Sequence, residues 1–300
     1  MRAGQPSQTA IRAAIMRAAH QILDGEPRIL DDPVALQLVG GLLREELATA
    51  GEVYHTPPMR WLRATFVFRS RYAEDVLRDL ATAGAEGTPR SAGESGGGRR
   101  VGQYVILGAG LDTFAYRQPP WARCLRIFEV DHPATQEWKR DILEGAGVPV
   151  SGNVRFCPLD FETASLGPAL DQASFDRRGL TFFSWLGVTQ YLTEAAITST
   201  LEFILSMPAG SGVVFTFKVL EPTLTPADRR EPAAAAARVA AGGEPWITWF
   251  EPVAFRRRLL AMGFGSVDHV TPEWADRRYF AGRHDGLSAP RDTHLMRALV

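Results

Sequence analysis

The chain has 300 residues and a formal net charge of −1, and it is 45% hydrophobic and 22% charged. That length suffices for one large domain or for a domain with appendages, and the composition is typical of a soluble globular protein. The balanced charge gives no general reason to expect a nucleic acid or an acidic membrane as a partner. Two cysteines are too few for a disulfide framework or a cysteine-based metal site, so we expect no metal.

The chain lacks the sequence features of export and membrane insertion. No apolar segment near the N-terminus resembles a signal peptide, and no uninterrupted apolar run approaches the length of a membrane span. We therefore expect a cytoplasmic protein that works away from membranes.

The first part of the chain, residues 1–81, is predicted to be a helical region. Apolar positions at helical spacing predict a first helix over Thr9–Leu23. Asp32 before Pro33 is typical of an N-cap and predicts a second helix that runs to Val39. A long apolar stripe predicts a third helix over Arg60–Ala81.

Residues 82–100 are rich in glycine, serine and alanine and show no periodicity. We interpret them as a flexible linker, which divides the helical region from a second domain over 101–300. Within that domain, residues 221–251 interrupt the pattern with several prolines and an alanine tract. We expect this insertion to form a lid that covers a pocket.

Strands and helices alternate along the second domain, as a largely parallel sheet requires. The sequence therefore predicts an α/β fold with a doubly wound, Rossmann-like sheet. The predicted helices are Pro133–Ala146, Thr193–Met207 and Pro252–Gly263. The predicted strands are Tyr104–Leu107, Arg126–Val130, Val154–Pro158, Leu180–Trp185, Gly212–Val219, Ser266–Val270 and, at the edge of the sheet, His294–Val300.

The first of these strands runs directly into Gly108, Ala109 and Gly110, and the second ends next to Asp131. A glycine turn after one strand and a carboxylate at the tip of the next is how doubly wound folds bind a nucleoside. The backbone approaches the ligand at the turn, and the acid accepts the ribose hydroxyls. We therefore expect a nucleotide-type ligand at this edge of the sheet.

Two residues after the turn indicate which ligand this is. A dinucleotide fingerprint has Gly or Ala at its sixth position, where this chain has Thr113, and Asp112 precedes it at the predicted start of a helix. A carboxylate there would repel a pyrophosphate but would suit a cationic ligand. S-adenosylmethionine carries a sulfonium and an ammonium and no phosphate. The pattern thus favours a methyl donor, with an NAD-dependent oxidoreductase as the alternative enzyme class.

Three segments carry a resemblance to a known family: GAGLDTFAYR at 108–117, FEVDHPATQEWK at 128–139 and FFSWLGVTQYLT at 182–193. They resemble the leucine carboxyl methyltransferase-like family of S-adenosylmethionine-dependent O-methyltransferases, and most of all its bacterial branch linked to natural-product methylation. The resemblance covers nearly the whole chain. It implies a class I methyltransferase fold, S-adenosylmethionine as cofactor and methylation of an oxygen atom.

The resemblance also implies roles for individual side chains. Arg69 is expected to grip the methionyl carboxylate of the cofactor with two parallel hydrogen bonds, and Arg17 has a weaker claim of the same kind. Asp160 and Phe161 are expected to contact the adenine, while Asp131 binds the ribose. Each residue also has an ordinary structural interpretation, as a helix-surface charge, a helix cap or a core aromatic.

The third segment holds the expected catalytic residue and one departure from the family. The resemblance puts Tyr191 near the reacting methyl group, although a tyrosine is more often a packed aromatic. Leu186 stands where the protein-carboxyl branch has a glutamate, so a cofactor-binding protein without activity is a further alternative. Trp185 could provide an aromatic wall instead, since cation–π attraction to a sulfonium is worth ~0.5–2 kcal/mol.

The sequence also bears on the chemical class of the methyl acceptor. A carboxylate is ionised at neutral pH and needs no general base, whereas a phenol with a pKa of about 10 would benefit from one. The six histidines are scattered, and none has a context that identifies a base. This favours a carboxylate of a small natural product or peptide over a phenolic hydroxyl, although the helical region or the insertion could still supply a base.

Overall fold

The structure is a computed structural model of the chain. Most of the predicted linker falls outside the residues that it describes. It describes residues 7–83, 100–220, 223–225, 228 and 230–300, with the side chains of 230–232 excluded.

Three helices precede the sheet, as predicted: α1 (Gln8–Leu23), α2 (Pro33–Ala50) and α3 (Pro57–Thr82). Asp32 caps α2 by accepting the Ala35 N–H at 3.1 Å, which confirms the predicted cap. Helix α2 is longer than predicted because its apolar face, which packs against α1, continues past two glycines to the fully buried Leu43.

One seven-stranded sheet follows in the order β3-β2-β1-β4-β5-β7-β6. Strands β1 to β5 are parallel, and β7 is antiparallel to both β5 and β6. The strands are β1 (Gln103–Leu107), β2 (Arg126–Asp131), β3 (Val154–Pro158), β4 (Thr181–Trp185), β5 (Gly212–Lys218), β6 (Ser266–Val270) and β7 (Thr293–Leu299).

The prediction that the last strand lies at the sheet edge is wrong. Strand β7 lies between β5 and β6 and pairs with β5 from Lys218 opposite Thr293 to Gly212 opposite Leu299. Periodicity indicates which side chains of a strand are buried, but it does not indicate which strands are its neighbours. The pairing is therefore a property of the tertiary structure.

Helices cover both faces of the sheet, which confirms the doubly wound α/β class. On one face, Val67 and Phe68 of α3 pack with Tyr104 and Phe182 of β1 and β4. The other face is covered by the helices Leu166–Gln172, Glu194–Leu205 and Pro252–Met262. The helices that follow β2 are α4 (Pro133–Gly145), α5 (Leu166–Gln172), α6 (Glu194–Leu205), α7 (Arg230–Ala241), α8 (Pro252–Met262) and α9 (Pro272–Ala275), the last continuing as a π-helical turn, Asp276–Phe280.

Helix α7 occupies the middle of the segment predicted as an insertion, and the chain after it returns over the sheet. The Ile247 N–H donates to the Gln190 carbonyl at 2.7 Å, and the Phe250 N–H donates to the Lys218 carbonyl at 2.9 Å. These bonds attach the segment 244–250, here called the lid segment, to the 3-10 turn after β4 and to the carboxyl end of β5. In the part of the chain that is described, no helix combines the length and apolarity that a bilayer crossing demands.

Candidate active site

A cavity of ≈ 330 Å³ lies at the carboxyl ends of β1, β2 and β4, where doubly wound sheets bind ligands. Its walls come from α1, α3, the glycine turn, the segment after β4 and the lid segment. Nine of the ten residues predicted for the site line this cavity: Arg17, Arg69, Gly108, Ala109, Gly110, Asp131, Asp160, Phe161 and Tyr191.

The two glycines of the turn lie in crowded positions that leave little room for a side chain. Gly108 has φ +67°, and a Cβ there would lie 2.3 Å from Val188 Cγ2. Gly110 has φ +44°, and its Cβ would meet that of Ala10 at 3.1 Å. Both positions therefore favour glycine, because the backbone is left-handed there and another segment of the same chain lies close to each Cα.

Asp131 holds this turn in shape from the tip of β2. Its carboxylate accepts the N–H of Gly110 with one oxygen and the N–H of His132 at 2.6 Å with the other. Burial raises the pKa of Asp131, and these two hydrogen bonds oppose the rise. The side chain lines the cavity beside the turn that it braces.

The prediction of a helix starting at Asp112 and Thr113 is wrong, since a single 3-10 turn, Phe114–Tyr116, follows the glycines. Thr113 donates from Oγ1 to Asp32 Oδ2 at 2.7 Å, and Arg117 Nε donates to the same hydroxyl at 3.1 Å. The threonine at the sixth position thus ties the turn to the cap of α2. Asp112 still lines the cavity, as the electrostatic prediction requires.

Arg17 reaches the same network from α1. Its Nε donates to Asp32 Oδ2 at 2.9 Å and its Nη2 donates to the carbonyl of Leu111. Two of its five N–H groups therefore hold the turn, although the residue also borders the cavity. A direct contact with the cofactor stays a prediction for Arg17.

Arg69 is differently placed, because its guanidinium has no carboxylate or carbonyl partner among the described residues. It lies 4.6 Å from the centre of the Phe66 ring and against the backbone of Gly187. Burial, and then the charge of Arg17, lower the pKa of Arg69 to about 10, so it remains cationic at neutral pH. An unpaired cation at the cavity wall suits an anionic group of a ligand.

Tyr191 belongs to a chain of hydrogen bonds that the sequence did not reveal. Its hydroxyl donates to Thr9 Oγ1 at 3.3 Å, and Thr9 donates from both Oγ1 and its backbone N–H (3.2 Å) to Glu244 Oε2. All three residues line the cavity. The only sequence signal for Glu244 was its position in the predicted insertion, because no motif marks it.

Comparison with known proteins identifies the family. A sequence model described as leucine carboxyl methyltransferase matches residues 10–205. The chain belongs to the leucine carboxyl methyltransferase family. YktD of Bacillus subtilis (strain 168), assigned as an S-adenosyl-L-methionine-dependent methyltransferase, is 32% identical over 100% of this chain and 99% of its own.

Two solved structures agree with the fold. A protein of Thermobifida fusca YX assigned as a methyltransferase matches with a TM-score of 0.57, over 99% of this chain and 96% of its own. A duf574 family protein of Streptomyces avermitilis matches with a TM-score of 0.55, over 95% and 96%. Each is 15% identical to this chain. This member of the leucine carboxyl methyltransferase family is an S-adenosylmethionine-dependent methyltransferase, which excludes the NAD-dependent alternative.

The charge of the cavity fits this cofactor. Five acidic residues line it against two arginines, and one of those arginines, Arg17, is paired with Asp32. The excess of negative charge suits a ligand with a sulfonium and an ammonium, while Arg69 is available for its single carboxylate. The acidic lining residues are Asp112, Asp131, Asp160, Glu162 and Glu244.

The tenth predicted residue, Trp185, lies elsewhere. It is fully buried, does not line the cavity and packs in the core cluster with Phe183 and Leu201. Side chains alternate along a strand, so Trp185 shares the face of β4 that α6 covers. Its ring lies 6.3 Å from that of Phe161, a lining residue. The expectation of an aromatic wall at Trp185 is therefore corrected to a supporting contact behind Phe161.

Proposed function

We propose that this methyltransferase methylates an oxygen atom of a small organic molecule, of the natural-product or peptide type, in the cytoplasm. The observation that carries the proposal is the meeting, in one cavity, of a charge pattern for the donor and of the oxygen-rich group Tyr191, Thr9 and Glu244. The description of the family, leucine carboxyl methyltransferase, names a carboxyl group, which is also an oxygen acceptor.

Each part of the donor has a matching residue in the proposal. Arg69 binds the carboxylate, Asp131 accepts from the ribose hydroxyls, and Asp160 with Phe161 contacts the adenine. Bound S-adenosylmethionine supplies an electrophilic methyl carbon on a cationic sulfur. The chain's own contribution is alignment, and holding two reactants in place can lower a barrier by roughly 7–11 kcal/mol.

Two kinds of oxygen acceptor are consistent with this chemistry. A carboxylate needs no base, and the sequence favoured it because no base was evident there. Glu244 removes that reason, since it brings a carboxylate into the cavity next to Tyr191. A hydroxyl acceptor therefore becomes the stronger candidate. Apolar lining residues such as Ala13, Leu186 and Leu192 support an acceptor with a hydrocarbon body.

Incubation with a methyl-labelled donor and a panel of carboxylic acids, phenols and short peptides tests the proposal. Mass spectrometry should locate the label on oxygen, as an ester or an ether. Label on nitrogen or carbon would contradict the chemistry. Binding of S-adenosylhomocysteine without turnover of any panel member would support the alternative of a non-catalytic binding protein, which the loss of a glutamate at Leu186 raises.

A further inference from the structure

We propose that Tyr191, Thr9 and Glu244 form a proton relay in which Glu244 is the general base that receives the proton of an acceptor hydroxyl. The inference rests on the proposed O-methylation and narrows it. The substrate class that it assigns is a hydroxyl compound that stays protonated at neutral pH, above all a phenol.

The relay joins three distant parts of the chain. Tyr191 follows β4, Thr9 lies in the first turn of α1, and Glu244 begins the lid segment. The hydrogen bonds have one direction, because Tyr191 donates to Thr9 and Thr9 donates to Glu244. A carboxylate at the end of such a row is a proton acceptor. The Tyr191 oxygen, having given its hydrogen to Thr9, can only accept, either from an incoming hydroxyl or from the neighbouring side chains of Trp246 and Gln190.

The surroundings of Glu244 separate it from the structural acids of the protein. Asp32 and Asp292 are buried, and each is paired with a cation, Arg17 and Lys218 respectively. Glu244 is only 9% exposed, yet its partners among the described residues are the hydroxyl and N–H of Thr9, which carry no charge. Among the described residues, the hydrogen-bonding contacts of Glu244 thus include no cation, which distinguishes it from the two paired acids.

One proton moves along the row while the methyl group is transferred. The acceptor oxygen forms a bond to the methyl carbon while the carbon–sulfur bond breaks, and the sulfur keeps that electron pair. The acceptor proton passes to Tyr191 Oη, the Tyr191 proton passes to Thr9 Oγ1, and the Thr9 proton passes to Glu244. A phenol needs this route because its pKa of about 10 keeps it neutral in the ground state.

The same geometry disfavours an ionised acceptor. A carboxylate that reached Tyr191 would bring a second negative charge towards Glu244, and like charges in a partly desolvated site repel. Pro245 and the 48%-exposed Ile247 follow Glu244 and line the cavity. The lid segment therefore offers apolar contact beside the proposed base, as an aromatic hydroxyl compound requires.

Three variants test the relay with a naphthol and the matching naphthoic acid as acceptors. Glu244→Gln keeps an oxygen that accepts from Thr9 but removes the base, and Thr9→Val breaks the row at its middle. Both should lower kcat for the naphthol by about 100-fold or more, the usual contribution of a general base. Thr9→Ser, which restores the hydroxyl, should recover most of the rate. Glu202→Gln, an exposed position on α6, is the matched control.

Two measurements without turnover separate a base from an anchor. S-adenosylhomocysteine lacks the sulfonium charge that the acidic wall of the cavity would attract, so its affinity, measured by calorimetry, should be similar in Glu244→Gln and wild type. Amide hydrogen exchange of the lid segment should also be unchanged, because the glutamine still accepts from Thr9. Faster exchange that accompanies the loss of rate would instead make Glu244 an anchor of the lid and overturn the proposal.

The remaining outcomes are also decisive. Naphthol turnover that survives Glu244→Gln, or methylation confined to the naphthoic acid and other carboxylic acids, would overturn the relay while leaving O-methylation intact. Label on nitrogen or carbon would instead reject the proposed function itself. The two failures are therefore distinguishable in the same set of assays.

Discussion

The guanidinium of Arg69 crosses the backbone of Gly187 so closely that a Cβ at Gly187 would lie 2.0 Å from Arg69 Nη1. Gly187 has φ +78°, a left-handed conformation that favours glycine. The two residues lie on α3 and on the loop after β4, and they meet at the cavity. The absence of a side chain at position 187 therefore allows the guanidinium of Arg69, the proposed carboxylate-binding group, to lie where it does.

Gly187→Ala should displace Arg69 and weaken cofactor binding. The left-handed backbone adds a cost of about 1–2 kcal/mol for a residue with a Cβ, so the free energy of unfolding should also fall. Calorimetry with S-adenosylhomocysteine and urea unfolding measure the two effects. Gly41→Ala is the control, because Gly41 lies in α2 with open space around it. This substitution should raise the free energy of unfolding by ~0.5–1 kcal/mol.

Arg69→Gln should weaken S-adenosylhomocysteine binding by about 10- to 100-fold, as expected for the loss of a charge-assisted hydrogen bond. Arg71→Gln is a matched control on the same helix, because Arg71 is paired with Asp75 and does not line the cavity. Equal affinity in Arg69→Gln and wild type would remove Arg69 from the binding site.

Gly108→Ala should destabilise the protein by about 1–3 kcal/mol, the usual range for a strained left-handed residue, with a further cost from the 2.3 Å approach to Val188 Cγ2. Adding Val188→Ala removes that overlap but not the strain, so the double variant should recover part of the lost unfolding free energy. Full recovery would mean that the left-handed backbone at position 108 adds no cost for a residue with a Cβ, which would contradict the prediction. Thermal and urea unfolding report the difference.

The acid stability of the protein should depend on Asp32. Burial by itself would raise the pKa of Asp32, but the charges of Arg117 and Arg17, together with the hydrogen bonds from Thr113 and Arg17, outweigh it and lower the pKa from its ordinary value of 3.8. A lowered pKa in the folded state stabilises the protein above that ordinary value, and this stability is lost as the pH falls towards the lowered pKa. The protein should therefore lose stability progressively below about pH 4.

Asp32→Asn should remove this contribution. At neutral pH it leaves the buried Arg17 without its counter-ion, for a loss of about 3–5 kcal/mol, whereas Arg117 keeps its ion pair with Glu74. The loss should shrink as the pH falls below about 4. Urea unfolding over a pH series measures the effect. Asp79→Asn, at an exposed position, provides the comparison. If the free energy of unfolding fell equally steeply below pH 4 in Asp32→Asn and wild type, the role of Asp32 would be contradicted.

Much of the site could be predicted because neighbouring parallel strands end at the same edge of the sheet. Gly108, Asp131 and Asp160 each follow a strand that the sequence identified, and the structure brings them to one cavity. The prediction for Trp185 was wrong for a related reason. Side chains alternate between the two faces of a strand, and that of Trp185, the last residue of β4, points into the core. A motif locates a residue along the chain but not the direction of its side chain.

The sequence by itself determined the alternation of strands and helices, the glycine turn and the family, because backbone conformation and burial pattern depend mainly on local residue types. Only the tertiary structure decided the insertion of β7 between β5 and β6, the Asp32 network beneath the turn, and the meeting of Tyr191, Thr9 and Glu244. These contacts join residues up to 235 positions apart. They arise from packing of whole helices on the sheet, which no local pattern encodes.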